Sequence, residues 1–269
     1  MNETKTHLIC YEKAPYLQIR QTLQSERAYE SHAHPTLSIG FMLEGQTSFQ
    51  TPNGSFLLQP GALAIIPPHT QHACNPLPHT KRSYIMVYVD ADVCARIQSK
   101  QFKEASTLLP LSIPLVFHKA LFEEFEQIIK ALIVGYSPLH IKALAAWLES
   151  FFWLYTQQDM HQKEDDTLSD VAHFLENRID EPLSLDALAK RFGYNPFVLL
   201  RHFKARYSCT PKHYALDVRI HHAKKLLQKG TSLALCAQYC GFTDQSHFHR
   251  FFKRHTALTP KEYQVNFIQ

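Results

Sequence analysis

No run of about 18 apolar residues occurs in this 269-residue chain, so no membrane-crossing helix is expected from it. Its start lacks the charged stretch and apolar core of a secretory signal, which points to a cytoplasmic chain. Cysteine is sparse and irregular. Cys10, Cys74, Cys94, Cys209, Cys236 and Cys240 follow no framework of spacings, which argues against a disulfide-stapled scaffold and fits reduced thiols. Cys236 and Cys240 stand one helical turn apart, yet they replace Leu188 and Phe192 of a related segment, so they are expected to fill core rather than bind metal. Net charge is also small, at +4. Its distribution is uneven: residues 167–269 hold 15 Lys and Arg against 8 Asp and Glu, while the remainder is slightly acidic. A basic C-terminal part suits a polyanionic partner. With 45% apolar residues, the length suffices for two domains with sizeable cores.

The strongest pattern is a duplication. From Ser232 to Tyr263 the chain reads SLALCAQYCGFTDQSHFHRFFKRHTALTPKEY, and from Ser184 to Tyr214 it reads SLDALAKRFGYNPFVLLRHFKARYSCTPKHY. Ser184-Leu185, Ala189 and Gly193-Tyr194 match Ser232-Leu233, Ala237 and Gly241-Phe242 at one offset. Pro211 and Tyr214 match Pro260 and Tyr263 at an offset one residue larger, which predicts a one-residue insertion in the second copy's recognition helix. Leu233, Ala237, Phe248, Phe251 and Phe252 fall at helical spacing on either side of Gly241, which can end a helix at positive φ. Thr243 is expected to cap the helix that follows. Each copy thus reads as a helix-turn-helix, and two copies carry far more weight than one.

These repeats, their Thr-Pro-x-x-Tyr endings and the intervening helix (Tyr214 to Gly230, with Arg219, Ala223, Leu226 and Leu227) resemble the AraC/XylS family of transcription regulators. The run Gly241 to Phe248 is similar to that family's signature. The resemblance implies a C-terminal all-α domain at 168–269, with helix-turn-helix units at about 184–206 and 232–255 joined by a linker helix at about 211–229. It implies a double-stranded DNA operator, RNA polymerase as a further partner, a small-molecule effector, and an activator rather than an enzyme. Gln245, Ser246, His247 and Arg250 are then the base- and phosphate-facing residues of the second copy, with Phe197, Leu200 and Arg201 in the first. Lys204, Arg206, Lys253 and Arg254 are expected at the backbone or in solvent. Arg201 or Arg250 can make a bidentate contact to guanine, and Leu200 can meet thymine methyls. A linker helix of roughly 24 Å suits recognition helices in successive major grooves.

Ahead of this domain, the region from Tyr11 to about Asp90 reads as strands, with short runs at Leu37–Met42, Thr47–Gln50, Phe56–Leu58, Ala62–Ile66 and Tyr84–Val89 alternating with Pro- and Gly-containing turns. Such spacing argues for a barrel or sandwich. This part resembles the small cupin barrel of many AraC-type regulators, giving an α+β two-domain chain with an effector-binding and dimerisation domain at 1–158. His32-Ala33-His34, the Glu44-Gly45 turn and the run Gly61 to His72 carry that likeness. In a metallated cupin, two histidines, a glutamate four residues on and a later histidine bind the ion. Here Ser38 takes the glutamate position, which argues against a cupin metalloenzyme. His32, His34 and His72 can still hold Zn²⁺, with Cys74 as a fourth ligand, in a metal- or thiol-responsive regulator. The preferred expectation is no metal or other cofactor, with His32, His34, Ser38, His72, Cys74 and Asn75 lining an effector pocket. The segments Ser31–Pro35 and His72–Pro76 are also similar to regulators associated with amino-acid export genes, which implies an amino-acid effector.

Two amphipathic helices follow, one with Leu121, Phe122, Phe125, Ile128, Ile129 and Leu132, ending near Gly135. The other opens at Pro138 and buries Ile141, Leu144, Ala145, Leu148, Phe151 and Phe152. Trp153, Leu154 and Tyr155 widen its apolar face, which suits either packing on the barrel or a homodimer contact. The polar stretch at 157–166 reads as the linker, placed at 159–167. Val171, Phe174, Leu175 and Ile179 then form the first helix of the DNA-binding domain.

Overall fold

The computed structural model describes residues 4–102, 108–111, 113–156, 166–179 and 184–268. Its N-terminal part is built on strands β1 (Lys5–Tyr11), β2 (Ala14–Ser25), β3 (Thr36–Glu44), β4 (Thr47–Thr51), β5 (Gly54–Leu58), β6 (Leu63–Ile66), β7 (Ala73–Pro76) and β8 (Arg82–Asp90). Helix α1 (Ala91–Ser99), strand β9 (Leu115–Val116) and helices α2 (Lys119–Val134) and α3 (Pro138–Tyr155) complete it. The C-terminal part is helical: α4 (Asp166–Asn177), α5 (Leu185–Arg191), α6 (Pro196–Tyr207), α7 (Pro211–Gln228), α8 (Leu233–Tyr239), α9 (Gln245–Thr256) and α10 (Pro260–Val265). A two-residue strand, β10 (Phe267–Ile268), ends it.

Seven strands form one sheet in the order β10-β1-β2-β8-β3-β6-β9, and β5-β4-β7 form a second. Among the described residues the two do not hydrogen-bond into one closed barrel. Side chains alternate across the large sheet, as a period of two requires. Ile39, Phe41, Leu63, Ile65, Ile85 and Val87 face α2 and α3, where Phe125, Trp147 and Phe151 pack. Met42, Ala64, Ile66 and Tyr84 point the other way, toward Phe49 and Leu58 of the small sheet. β3 and β6 are covered on both faces, so β6 is a continuous apolar run and β3 is apolar from Ile39 to Leu43. The turn from β3 to β4 needs Gly45. Its φ is +76°, and a Cβ there would stand 2.6 Å from the Lys81 carbonyl oxygen.

In the helical part, Ser184, Asn195, Thr210, Ser232, Asp244 and Thr259 each cap a helix by accepting a backbone N–H. Proline opens α6, α7 and α10, where its missing N–H costs nothing. The duplication is spatial as well as sequential. Leu188, Ala189, Leu199 and Phe203 make one core with Tyr214, and Cys236, Ala237, Phe248 and Phe252 make another with Tyr263. Helix α7 supplies Tyr214 to the first core and Ile220, Ala223 and Leu227 to the second. Cys236 and Cys240 are buried there, and desolvation pushes their thiols up to about 11 and about 12.

Several expectations are corrected. The cap of α9 is Asp244, whose carboxylate accepts the His247 N–H at 2.7 Å, and not Thr243. Both recognition helices have 12 residues, so the extra residue lies in the turn before α9 rather than within it. Helix α4 ends at Asn177 and leaves Ile179 outside. Helix α1 follows Asp90, and β1 lies ahead of the region from Tyr11 to Asp90 read as strands. Trp147, absent from the expected buried stripe of α3, is deep in the core and donates its indole N–H to the Leu121 carbonyl at 2.9 Å. Of the linker expected at 159–167, residues 159–165 lie outside the described residues, and Asp166 and Thr167 belong instead to the first turn of α4.

Replacing Gly45 by Ala forces a Cβ against the Lys81 carbonyl at positive φ. A loss of about 1–3 kcal/mol is expected, read as an earlier midpoint in chemical denaturation of the full chain.

Candidate DNA-binding surface and sensor cavity

Asp244 fixes the start of α9, and the first turns beyond it leave Gln245, Ser246 and Arg250 exposed, with Lys253 further along. His247 is held more tightly. Its ring packs edge-on to Phe251 at 4.8 Å, and its Nδ1 lies 3.1 Å from the Thr243 hydroxyl. In α6, Phe197 is 82% exposed, Arg201 and Lys204 are exposed, and Leu200 is half-buried. Arg219 of α7 donates to the Gly241 carbonyl at 2.7 Å, which ties the linker helix to the turn before α9.

Between the two sheets lies a small cleft walled by His32, His72, Cys74, Arg82, Tyr84 and Tyr88 among others. Arg82 is fully buried. One of its Nη atoms donates to the carbonyls of Cys74 at 2.7 Å and Arg27 at 3.2 Å, while its Nε has no partner. Its guanidinium also stacks over the Tyr84 ring at 5.0 Å, and the Tyr29 and Tyr84 hydroxyls are hydrogen-bonded. A buried guanidinium with a spare donor suits an acidic group. Burial pushes the Cys74 thiol up to about 11, which keeps it protonated.

Of the six residues expected to line this pocket, His32, His72 and Cys74 do so. His34 and Ser38 sit beside it, His34 Nε2 lying 3.4 Å from the Ser38 hydroxyl. Asn75 turns instead to the backbone of Tyr29, accepting its N–H and donating to its carbonyl. The His32 and His34 imidazoles are held well below the ordinary range, and that of His72 is brought down to about 4. Desolvation dominates in all three, and mutual repulsion adds to it at His32 and His34, so each ring is neutral near pH 7.

The histidines also meet the helical part. Asp217 of α7 is buried, and its Oδ2 accepts the Ala33 N–H at 3.0 Å and the Gln71 side-chain amide at 2.9 Å. His255, at the end of α9, brings Nε2 to 3.0 Å from the other carboxylate oxygen, and its ring lies 5.5 Å from that of His32. Around this centre Arg20 donates to the Thr256 carbonyl, Arg27 to the Ala257 carbonyl and Glu262, and Gln18 to Tyr263. His69 stacks on Tyr214, which donates to Glu176 at 2.6 Å. Sequence reading found none of Asp217, His255, Arg20 or Arg82 as site residues. Only the isolated acid on an otherwise basic and apolar α7 marks Asp217, and nothing local marks the rest.

Two families match the two halves. The AraC-like ligand binding domain matches residues 19–149, and the helix-turn-helix domain family matches residues 188–266. The chain belongs to the AraC family. Among relatives of this AraC-family chain, the HTH-type transcriptional regulator YbfI of Bacillus subtilis is 29% identical over 234 residues, covering 81% of each protein. The transcriptional activator RhaR of Salmonella schwarzengrund is 31% identical over 112 residues, covering 41% of this chain and 40% of its own. In fold, the chain is similar to ToxT of Vibrio cholerae O395, with TM-score 0.66, 12% identity, and 93% and 98% of the two chains covered. A further ToxT structure, with an unsaturated fatty acid bound, gives TM-score 0.66 at 13% identity and covers 98% of this chain and 97% of that one. The AraC-family assignment makes the chain a DNA-binding transcription regulator with an effector-binding domain, and not an enzyme.

Asp217→Ala should orphan two buried donors, Ala33 N–H and the Gln71 amide. A cost of about 1–3 kcal/mol for each is expected, measured by denaturation, with faster hydrogen exchange at the Ala33 amide.

Proposed function

We propose that α6 and α9 enter successive major grooves of one operator, held apart by α7. The observation that carries this reading is a matched pair of exposed helix starts in a net-basic domain, tied together by one helix of 18 residues. At 1.5 Å per residue α7 spans about 27 Å, compatible with grooves about 34 Å apart. Gln245, Ser246 and Arg250 contact base edges and phosphates from α9. His247 does so through a ring already oriented by Thr243 and Phe251. Arg201 reads bases from α6, with Phe197 and Leu200 offering apolar contact to thymine methyls. Lys204 and Lys253 meet phosphates. The chain is cytoplasmic, acts as an activator through RNA polymerase, and pairs as a homodimer through the exposed Leu139, Trp153 and Leu154 of α3.

The effector is a small carboxylate, an amino acid among the candidates, held in the cleft between the sheets. The unpartnered Nε of buried Arg82, which lines the cleft, supports this reading. A carboxylate that binds here shifts the regulator only through differential affinity for two arrangements of its domains.

Arg250→Ala is expected to reduce discrimination between operator and random DNA by roughly 5- to 150-fold, while Lys204→Ala weakens both equally and flattens the salt dependence. Discrimination unchanged in Arg250→Ala removes that residue from the base-reading set. For the cleft, a thermal-shift screen of the full chain against amino acids should give a rise that Arg82→Met abolishes. An amino acid at a hundred times its dissociation constant adds about 2.7 kcal/mol.

A further inference from the structure

Three imidazoles converge where the sensor domain meets the DNA-binding domain. Each of His32, His34 and His72 offers a ring nitrogen, and the three atoms lie within 4.8 Å of one another. The ring of His72 lies 4.5 Å from that of His32 and 4.8 Å from that of His34. Their orientation is set by the backbone. His32 Nδ1 lies 2.8 Å from the Glu30 carbonyl, His72 Nδ1 lies 2.8 Å from the Thr70 carbonyl, and His34 Nδ1 lies 3.2 Å from the Thr36 carbonyl. His34 Nδ1 also lies 3.1 Å from the Thr36 hydroxyl, which can donate or accept. A carbonyl can only accept, so at His32 and His72 the bond fixes the Nδ1–H tautomer and leaves Nε2 with a bare lone pair. This is how proteins orient histidine ligands: the second nitrogen is spent on a carbonyl, and the first is aimed at the ion. The two segments are also locked to each other, since His32 and His72 exchange backbone hydrogen bonds of 3.0 and 2.9 Å.

We propose that His32, His34 and His72 form a site for a divalent transition metal of the zinc, cobalt or nickel class at the junction of the two domains. Three neutral imidazoles with no carboxylate favour such ions over calcium or magnesium, which prefer oxygen. The Ser38 hydroxyl, at the position where a metallated cupin carries its glutamate, contacts His34 Nε2 at 3.4 Å, a weak contact that the ion would displace. Cys74 lies outside the group. A second cluster, His213, Asp217 and His255, is the rival site. It is the poorer one, because one Asp217 oxygen already serves Ala33 and Gln71 and His213 is partly exposed. The metal would stiffen the two segments that grip Asp217, because Ala33 follows His32 and Gln71 precedes His72.

The test is a titration of metal-free, full-length protein with Co²⁺. One equivalent should bind with the ligand-field absorption of a nitrogen-rich, four-coordinate site, and Zn²⁺ should displace it. His72→Ala should weaken binding by roughly a hundredfold or more. So should His34→Gln, whose amide can still donate to the Thr36 carbonyl and keep the fold, as circular dichroism would verify. His79→Ala, at an exposed histidine, should leave the absorption unchanged. The proposal is overturned if wild type shows no stoichiometric Co²⁺ band, if the band persists in both variants, or if His213→Ala removes it. None of these outcomes bears on operator discrimination by Arg250.

Discussion

A carboxylate drawn out of water must be met by donors, and the one on Asp217 is met from two directions. The sensor domain offers the Ala33 N–H and the Gln71 amide, and α9 brings His255. Leaving such a charge without partners costs several kcal/mol, so these groups must stay together or be hydrated together. Because Asp217 sits on α7, and α7 contributes to both helical cores, one carboxylate fixes both recognition helices relative to the sensor. The hydrogen bonds from Arg20, Arg27 and Gln18 hold the same junction.

The cleft and this carboxylate are one residue apart along the chain. His32 and His72 wall the cleft, while Ala33 and Gln71 hold Asp217. A bound molecule that moves either histidine by a fraction of an ångström therefore acts on the geometry of the junction directly. Coupling of this kind needs no long relay through the fold. It needs only two arrangements of the junction with different affinities for the bound molecule.

Much of this was legible in the chain, and the reason differs by region. The helix-turn-helix units were readable because their information is local: a capping side chain, a glycine at positive φ (Gly241 at +66°), and apolar residues one turn apart. Even there Asp244 and Thr243 were exchanged, since both residue types can cap and only backbone geometry chooses between them. The strands β3, β6 and β8 were readable from apolar runs. In contrast, β10 pairs with a strand more than 250 residues away, and a two-residue strand carries no periodicity. The histidines were visible as a group, but their neighbours were not. Asp217, Arg82 and His255 become a site only through contacts between distant segments, which no spacing rule encodes.

Strand β1 runs parallel to β10, with Leu8 opposite Phe267 and the Leu8 N–H donating to the Asn266 carbonyl at 3.0 Å. Leu8 is also part of the core that contains Phe248 and Phe252. The first strand of the sensor is therefore a structural member of the second helix-turn-helix unit. Covalent order makes the chain a line, but this pairing closes it into a loop. Separating the two domains means peeling a backbone pair and withdrawing a leucine from a core in the same motion.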